Sequence, residues 1–168
     1  MALFGRTALD PETDAALSRL VGRRRRILAA GRGPEGDAVG LVDRLVYRSD
    51  GEWHQQFWHE VERGNWDQTT HRLRWTNVDG EVCEVELTDT GMLPDLFNER
   101  VTASIACMRV VDLARGTAVI TARRSLGDSS APLMWRISPG KGVSAESVNR
   151  DPLVAGELAV LRAEYDLA

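Results

Sequence analysis

Arg72-Leu73-Arg74-Trp75-Thr76-Asn77-Val78-Asp79-Gly80-Glu81-Val82-Cys83-Glu84-Val85-Glu86-Leu87 is the stretch on which the fold turns. Two apolar-polar alternating runs flank Asp79-Gly80, and Asp-Gly between such runs marks a tight antiparallel hairpin, because both central residues tolerate positive φ. Leu73, Trp75 and Asn77 share one face of the first run. In the second, Cys83, Val85 and Leu87 interleave with Glu84 and Glu86. A sheet with one dry and one wet face requires that period of two.

Upstream the pattern repeats in shorter pieces. Ala38–Val42, Leu45–Tyr47, Trp53–Trp58 and Val61–Trp66 read as strands, joined at Asp43-Arg44, Ser49-Asp50-Gly51 and Asp67–Thr70, so the expectation is an antiparallel meander. Ile27–Ala30 reads as a first strand and Gly31–Gly36 as a glycine-rich turn that lacks the spacing of a phosphate loop. Before it, Asp10-Pro11 caps a short helix ending at Gly22. Downstream, Leu93, Leu96, Phe97, Val101 and Ile105 have helical spacing, which predicts an amphipathic helix over Thr90–Ala106, capped by Asp89 or Thr90. Three further strands follow at Met108–Leu113, Thr117–Ser125 and Pro132–Ser138, either as a second small sheet or as an extension of the first. Gly140–Arg150 reads as a polar, mobile connection, and Asp151-Pro152 opens a final helix marked by Leu153, Val154, Leu158, Leu161 and Tyr165. The class is α+β, in three segments (1–22 helical, 23–106 rolled sheet with helix, 107–168 strands and helix) packed as one globular unit.

Composition supports a core of ordinary size. The chain has 168 residues, of which 43% are hydrophobic and 27% charged, and a chain of this length buries about 70% of its unfolded surface without a metal or a staple. A net charge of -4 gives no overall attraction to nucleic acid. Lys141 is the only lysine among otherwise arginine bases, a bias that GC-rich coding explains. Met1–Asp10 has the pattern of neither a signal peptide nor an amphipathic anchor, so the expected location is cytoplasmic. Cys83 and Cys107 have no paired C-x-x-C spacing and read as small buried apolar side chains.

A rolled antiparallel sheet closed by an amphipathic helix is how a pleckstrin-homology-like domain is written. Leu41-Val42-Asp43-Arg44-Leu45-Val46, Trp58-His59-Glu60-Val61-Glu62-Arg63 with Trp66-Asp67, and Glu99-Arg100-Val101-Thr102-Ala103-Ser104 together resemble a group of actinobacterial proteins. Members of that group in turn resemble bacterial pleckstrin-homology-like domains in the D-R-x-L turn and the W-H-E-V strand. The resemblance runs from about Arg26 onward and implies a fold and a bacterial cytoplasmic setting rather than an activity. Thr90-Gly91 stands where a proline-led helix start is expected.

Few residues point to chemistry. His54, His59 and His71 are the only histidines; His59 and Glu60, read as neighbours on a strand, point to opposite faces and cannot chelate together. No G-x-S-x-G elbow occurs, and Ser104 is placed in a helix. Glu84 and Glu86 share a sheet face, where solvated charge is the ordinary reading. Trp53, Trp58, Trp66, Trp75 and Trp135 all fall on predicted strands and read as core, or as a binding surface where exposed. The strongest local charge is the run Arg23, Arg24, Arg25 and Arg26, with Arg19 before it and Arg32 after, a candidate site for phosphates of an anionic lipid or nucleic acid. The bland reading of that run is an exposed helix end paired with the chain's own acids. These observations lead to a non-catalytic protein-interaction or scaffold module, with no cofactor and no metal, whose partner is another protein or a second copy. Peripheral binding of anionic membrane or nucleic acid is the alternative.

Overall fold

A computed structural model describes residues 9–166. Most of the segment read for a leader, residues 1–8, lies outside them. The architecture is α+β with antiparallel strands, as the alternation predicts, and the strands divide into three sheets of four, three and three. Two compact units make up the chain, Met1–Thr102 and Ala103–Ala168.

The first unit opens with α1, Pro11–Leu20. Asp10 caps it, its carboxylate accepting from the Glu12 and Thr13 amides at 3.0 and 3.2 Å, a device worth about 1 kcal/mol. Its apolar side delivers Leu17 to a cluster with Val39, Leu41 and Val46. Strands β1 (Ile27–Gly33), β2 (Gly36–Leu41), β3 (Arg44–Ser49) and β4 (Glu52–Phe57) pair in sequence order. Between β3 and β4, Asp50 and Gly51 take φ of 53° and 77°, the two-residue primed turn their sequence favours. Strands β5 (Val61–Asp67), β6 (Arg72–Asn77) and β7 (Val82–Glu86) form the second sheet in that order.

The two sheets join at both corners. At one, Arg32 of β1 receives hydrogen bonds on its carbonyl from the Thr88 and Asp89 amides and donates its own amide to the Asp89 carbonyl at 2.6 Å. At the other, Trp58–Glu60 form a 3-10 turn where the sequence predicts strand. The fully buried Trp58 indole must donate, and it finds the Leu41 carbonyl at 3.0 Å, while the Trp58 amide reaches the Asp43 carbonyl at 3.1 Å. Those two bonds outcompete a continuous ladder and put the chain through its corner. Helix α2, Leu93–Ala103, plugs one end of the roll with Leu93, Leu96 and Phe97. The Phe97 ring stands edge-on to Trp58 and tilted on Trp75, both at 5.8 Å.

This helix is shorter than the predicted Thr90–Ala106. Gly91 has φ 48°, and a side chain there would meet the Ala30 carbonyl, so the chain turns left-handed before Leu93. At the other end Ser104 sits in a turn, not a helix, and the β-branched Ile105 begins β8.

The second unit holds β8 (Ile105–Asp112), β9 (Thr117–Arg123) and β10 (Met134–Pro139) as a sheet of its own, ordered β10-β9-β8. Helices α3 (Ala145–Arg150) and α4 (Pro152–Tyr165) supply Val148, Val154 and Leu161 to a core with Cys107, Ala118, Ile120 and Ala122. Helix α3 corrects the reading of Gly140–Arg150 as mobile throughout: the Ser144 hydroxyl accepts from the Ser147 amide at 3.2 Å, a local cap, and Val148 is buried. Asp151 caps α4 as expected. Leu153 does not join the core and is 61% exposed.

Candidate binding cleft

A cleft of about 680 Å³ in the first unit lies between β7 with β6 on one side and the β3–β4 hairpin on the other. Its origin is the geometry of the corner. Strand β1 meets the chain after β7 at Arg32, and Gly33 passes so close that a Cβ there would stand 2.0 Å from the Glu86 carbonyl oxygen. Beyond Gly33 the chain turns away into β2, and among the described residues no strand pairs with the outer side of the rest of β7.

On the β3–β4 side of the cleft lies Tyr47, 6% exposed, stacked on His54 at 5.4 Å and edge-on to Trp75 at 5.0 Å. The Trp75 indole, 1% exposed, donates to the Gln56 side-chain carbonyl at 3.1 Å, which accounts for a buried glutamine. Cys83, half-buried on β7, faces the Tyr47 hydroxyl. Burial holds the Tyr47 phenol well above its ordinary range, and the neighbouring Cys83 and Glu81 push the same way. Burial raises the Cys83 thiol as well; the Tyr47 hydrogen bond opposes that rise and Glu81 adds to it. Both groups therefore carry their protons at neutral pH, the reverse of an activated nucleophile.

The walls are acidic. Glu35, Asp50, Glu60, Glu81, Glu84 and Glu86 line the cleft against Arg48, Arg72 and Arg74. Arg72 bonds Glu84 and lies 3.6 Å from Glu86, and Arg74 meets Glu84 at 3.0 Å. Arg48 is held by Glu12 at 2.9 Å. With each guanidinium matched by a carboxylate, the cleft keeps a net negative field. Sequence reasoning took Glu84 and Glu86 for ordinary solvated acids and missed their place on a concave wall; only the tertiary closure of the roll reveals it.

The arginine run lies elsewhere. Arg19, on the last turn of α1, and Arg23, Arg24 and Arg26 are exposed. Arg25 folds back on α1 with its side chain 9% exposed, bonding the Asp14 carboxylate, the Ser18 hydroxyl at 3.1 Å and the Gly22 carbonyl at 2.9 Å. Arg32 lies 3.4 Å from Asp37 with its side chain 60% exposed.

The histidines do not converge. His54 belongs to the Tyr47 stack, His71 stands edge-on to Trp66, and His59 occupies the 3-10 turn beside Phe57 rather than a strand. Among the described residues no group of three His, Cys, Asp or Glu side chains could hold a metal ion. Ser104 is buried, its hydroxyl accepting from Arg123 at 2.9 Å. Of the tryptophans, Trp58 and Trp75 are fully buried; Trp53, Trp66 and Trp135 are half-buried, and Trp58 lies off the strand predicted for it. No helix of the described residues is long and apolar enough to cross a membrane.

Compared with protein-family models, curated proteins and solved structures, the chain matches none. The geometry of the cleft therefore carries the functional argument.

Proposed function

We propose that this chain is a non-catalytic protein-interaction module of pleckstrin-homology-like fold, acting in the cytoplasm, and that its partner sits in the cleft beside β7. A four-stranded and a three-stranded sheet plugged by one helix is the arrangement such a roll has, which supports the fold assignment as an analogy of architecture. The single observation that carries the functional reading is the open seam: a concave, acidic surface of about 680 Å³ beside a strand at the end of its sheet. Small-molecule sites of that size are lined mostly by apolar groups. This one is lined mostly by charged and amide side chains, which suits a peptide surface better.

A second reading, binding of lipid or nucleic-acid phosphates, is favoured by the exposure of Arg23, Arg24 and Arg26. One comparison separates the two. The wild-type chain, a variant with Asp50→Lys and Glu81→Lys, and a variant with Arg23→Ser, Arg24→Ser and Arg26→Ser are each purified from the native cells, and co-purifying material is identified. The cleft reading expects a protein that the first variant loses and the second keeps. Nucleic acid or lipid lost from the arginine variant would replace it with the phosphate reading.

A further inference from the structure

The cleft has a backbone feature that its side chains do not convey. Among the described residues, strand β7 ends its sheet and pairs only with β6. At the two ends of that ladder the Asn77 amide donates to the Glu81 carbonyl and the Leu87 amide to the His71 carbonyl, each at 2.9 Å. Hydrogen-bonding positions alternate along an antiparallel strand. Odd-numbered residues of β7 thus bond β6, while Val82, Glu84 and Glu86 turn their amides and carbonyls to the outer edge. Gly33 covers that edge at the Glu86 carbonyl. At Val82 and Glu84 no second strand pairs with it; both residues line the cleft, and Val82 is 61% exposed.

An unpaired edge is a template for another strand. We propose that the outer edge of β7 takes up an extended, basic peptide segment as an added strand, with arginine or lysine at alternate positions. This inference rests on the interaction-module reading above and supplies its partner class. Charge decides the occupant. Glu81, just before β7, and Glu35 and Asp50 across the cleft, leave the net negative field, so an acidic strand is repelled and a basic one drawn in. Period-two spacing follows because alternate side chains of the added strand face the same way.

Fluorescence anisotropy with a labelled octapeptide alternating arginine and threonine tests the inference, alongside the same peptide N-methylated at every second backbone amide and an alternating glutamate-threonine control. The parent should bind, the acidic control should not, and N-methylation in the bonding register should weaken binding by at least about tenfold, the equivalent of roughly 1.4 kcal/mol. Val82→Pro removes only an outward-facing donor, so it should abolish binding while leaving the thermal transition in place. If that variant does not fold, Glu81→Lys and the N-methylated peptide on the wild-type chain still decide the matter. Equal binding of parent and methylated peptides in both methylation registers would overturn strand addition, as would binding of none. Should no peptide bind while a protein from native cells is still lost by the cleft variant, strand addition fails and the module reading stands. Should that capture fail too, both fall.

Discussion

Tyr47 shows most plainly how one residue couples the core to the cleft. Its ring belongs to the aromatic core through Trp75, while its hydroxyl lies beside Cys83 at the cleft. Because burial raises the phenol, the folded chain holds this proton more tightly than the unfolded one. The contribution is fully present below the ordinary phenol value of 10.0 and is lost as pH climbs from there toward the folded value. The Cys83 thiol, raised from 9.0, acts in the same direction and starts lower. Urea unfolding followed by tryptophan fluorescence should therefore give a midpoint that is steady from about pH 7 to 8 and falls steadily above about pH 9. Tyr47→Phe should make that fall shallower, with a residual slope from Cys83 and from Tyr165, whose phenol is raised by the neighbouring Cys107. An unchanged slope in the variant would show that the phenol is not held by its surroundings. Little of this was legible in the sequence. Tyr47 read as one apolar position on a strand, and its partners Trp75 and Cys83 come from another sheet. Arg25 was hidden for a related reason: its partner Asp14 is reached only because Gly22, at φ 87°, turns the chain back on α1.

The elements themselves were far more legible. Period-two alternation places the hairpin of β6 and β7, and the Asp-Gly pairs place its turn and that of β3–β4. The misreadings lie where local preference met a tertiary demand. Trp58-His59-Glu60 alternates well enough for a strand, but the buried Trp58 indole needs the Leu41 carbonyl and the chain bends to supply it. Ile105 fits the helical stripe of α2, yet the sheet beyond takes it. Elements also explain why the seam opens where it does. Gly33→Ala would set a Cβ against the Glu86 carbonyl at a distance no packed structure tolerates, so β1 and the end of β7 must separate. The expected cost is about 2 kcal/mol or more, read as a lowered urea midpoint with unchanged slope. Gly51→Ala, in open space but at φ 77°, serves as a control for backbone strain alone. A cost no larger at Gly33 than at Gly51 would show that the corner does not depend on this close approach.

At the scale of the whole molecule, composition indicated a chain able to build ordinary cores, and the order of strands and helices indicated an α+β architecture. Neither conveyed the cleft. Its walls are acids that look like any solvated face, brought onto one concave surface from segments as distant as Glu35 and Glu86. If a partner protein occupies this cleft, residue-resolved amide exchange will register it along β7. In the chain alone the outward amides of Val82 and Glu84 should exchange quickly while those of Cys83, Val85 and Leu87, bonded to β6, are protected. With the co-purified protein bound, Val82 and Glu84 should become protected and the Arg23–Arg26 segment should not change. Protection that appears at Arg23–Arg26 and leaves Val82 and Glu84 as they were would rule out the cleft and move the binding surface to the arginine run.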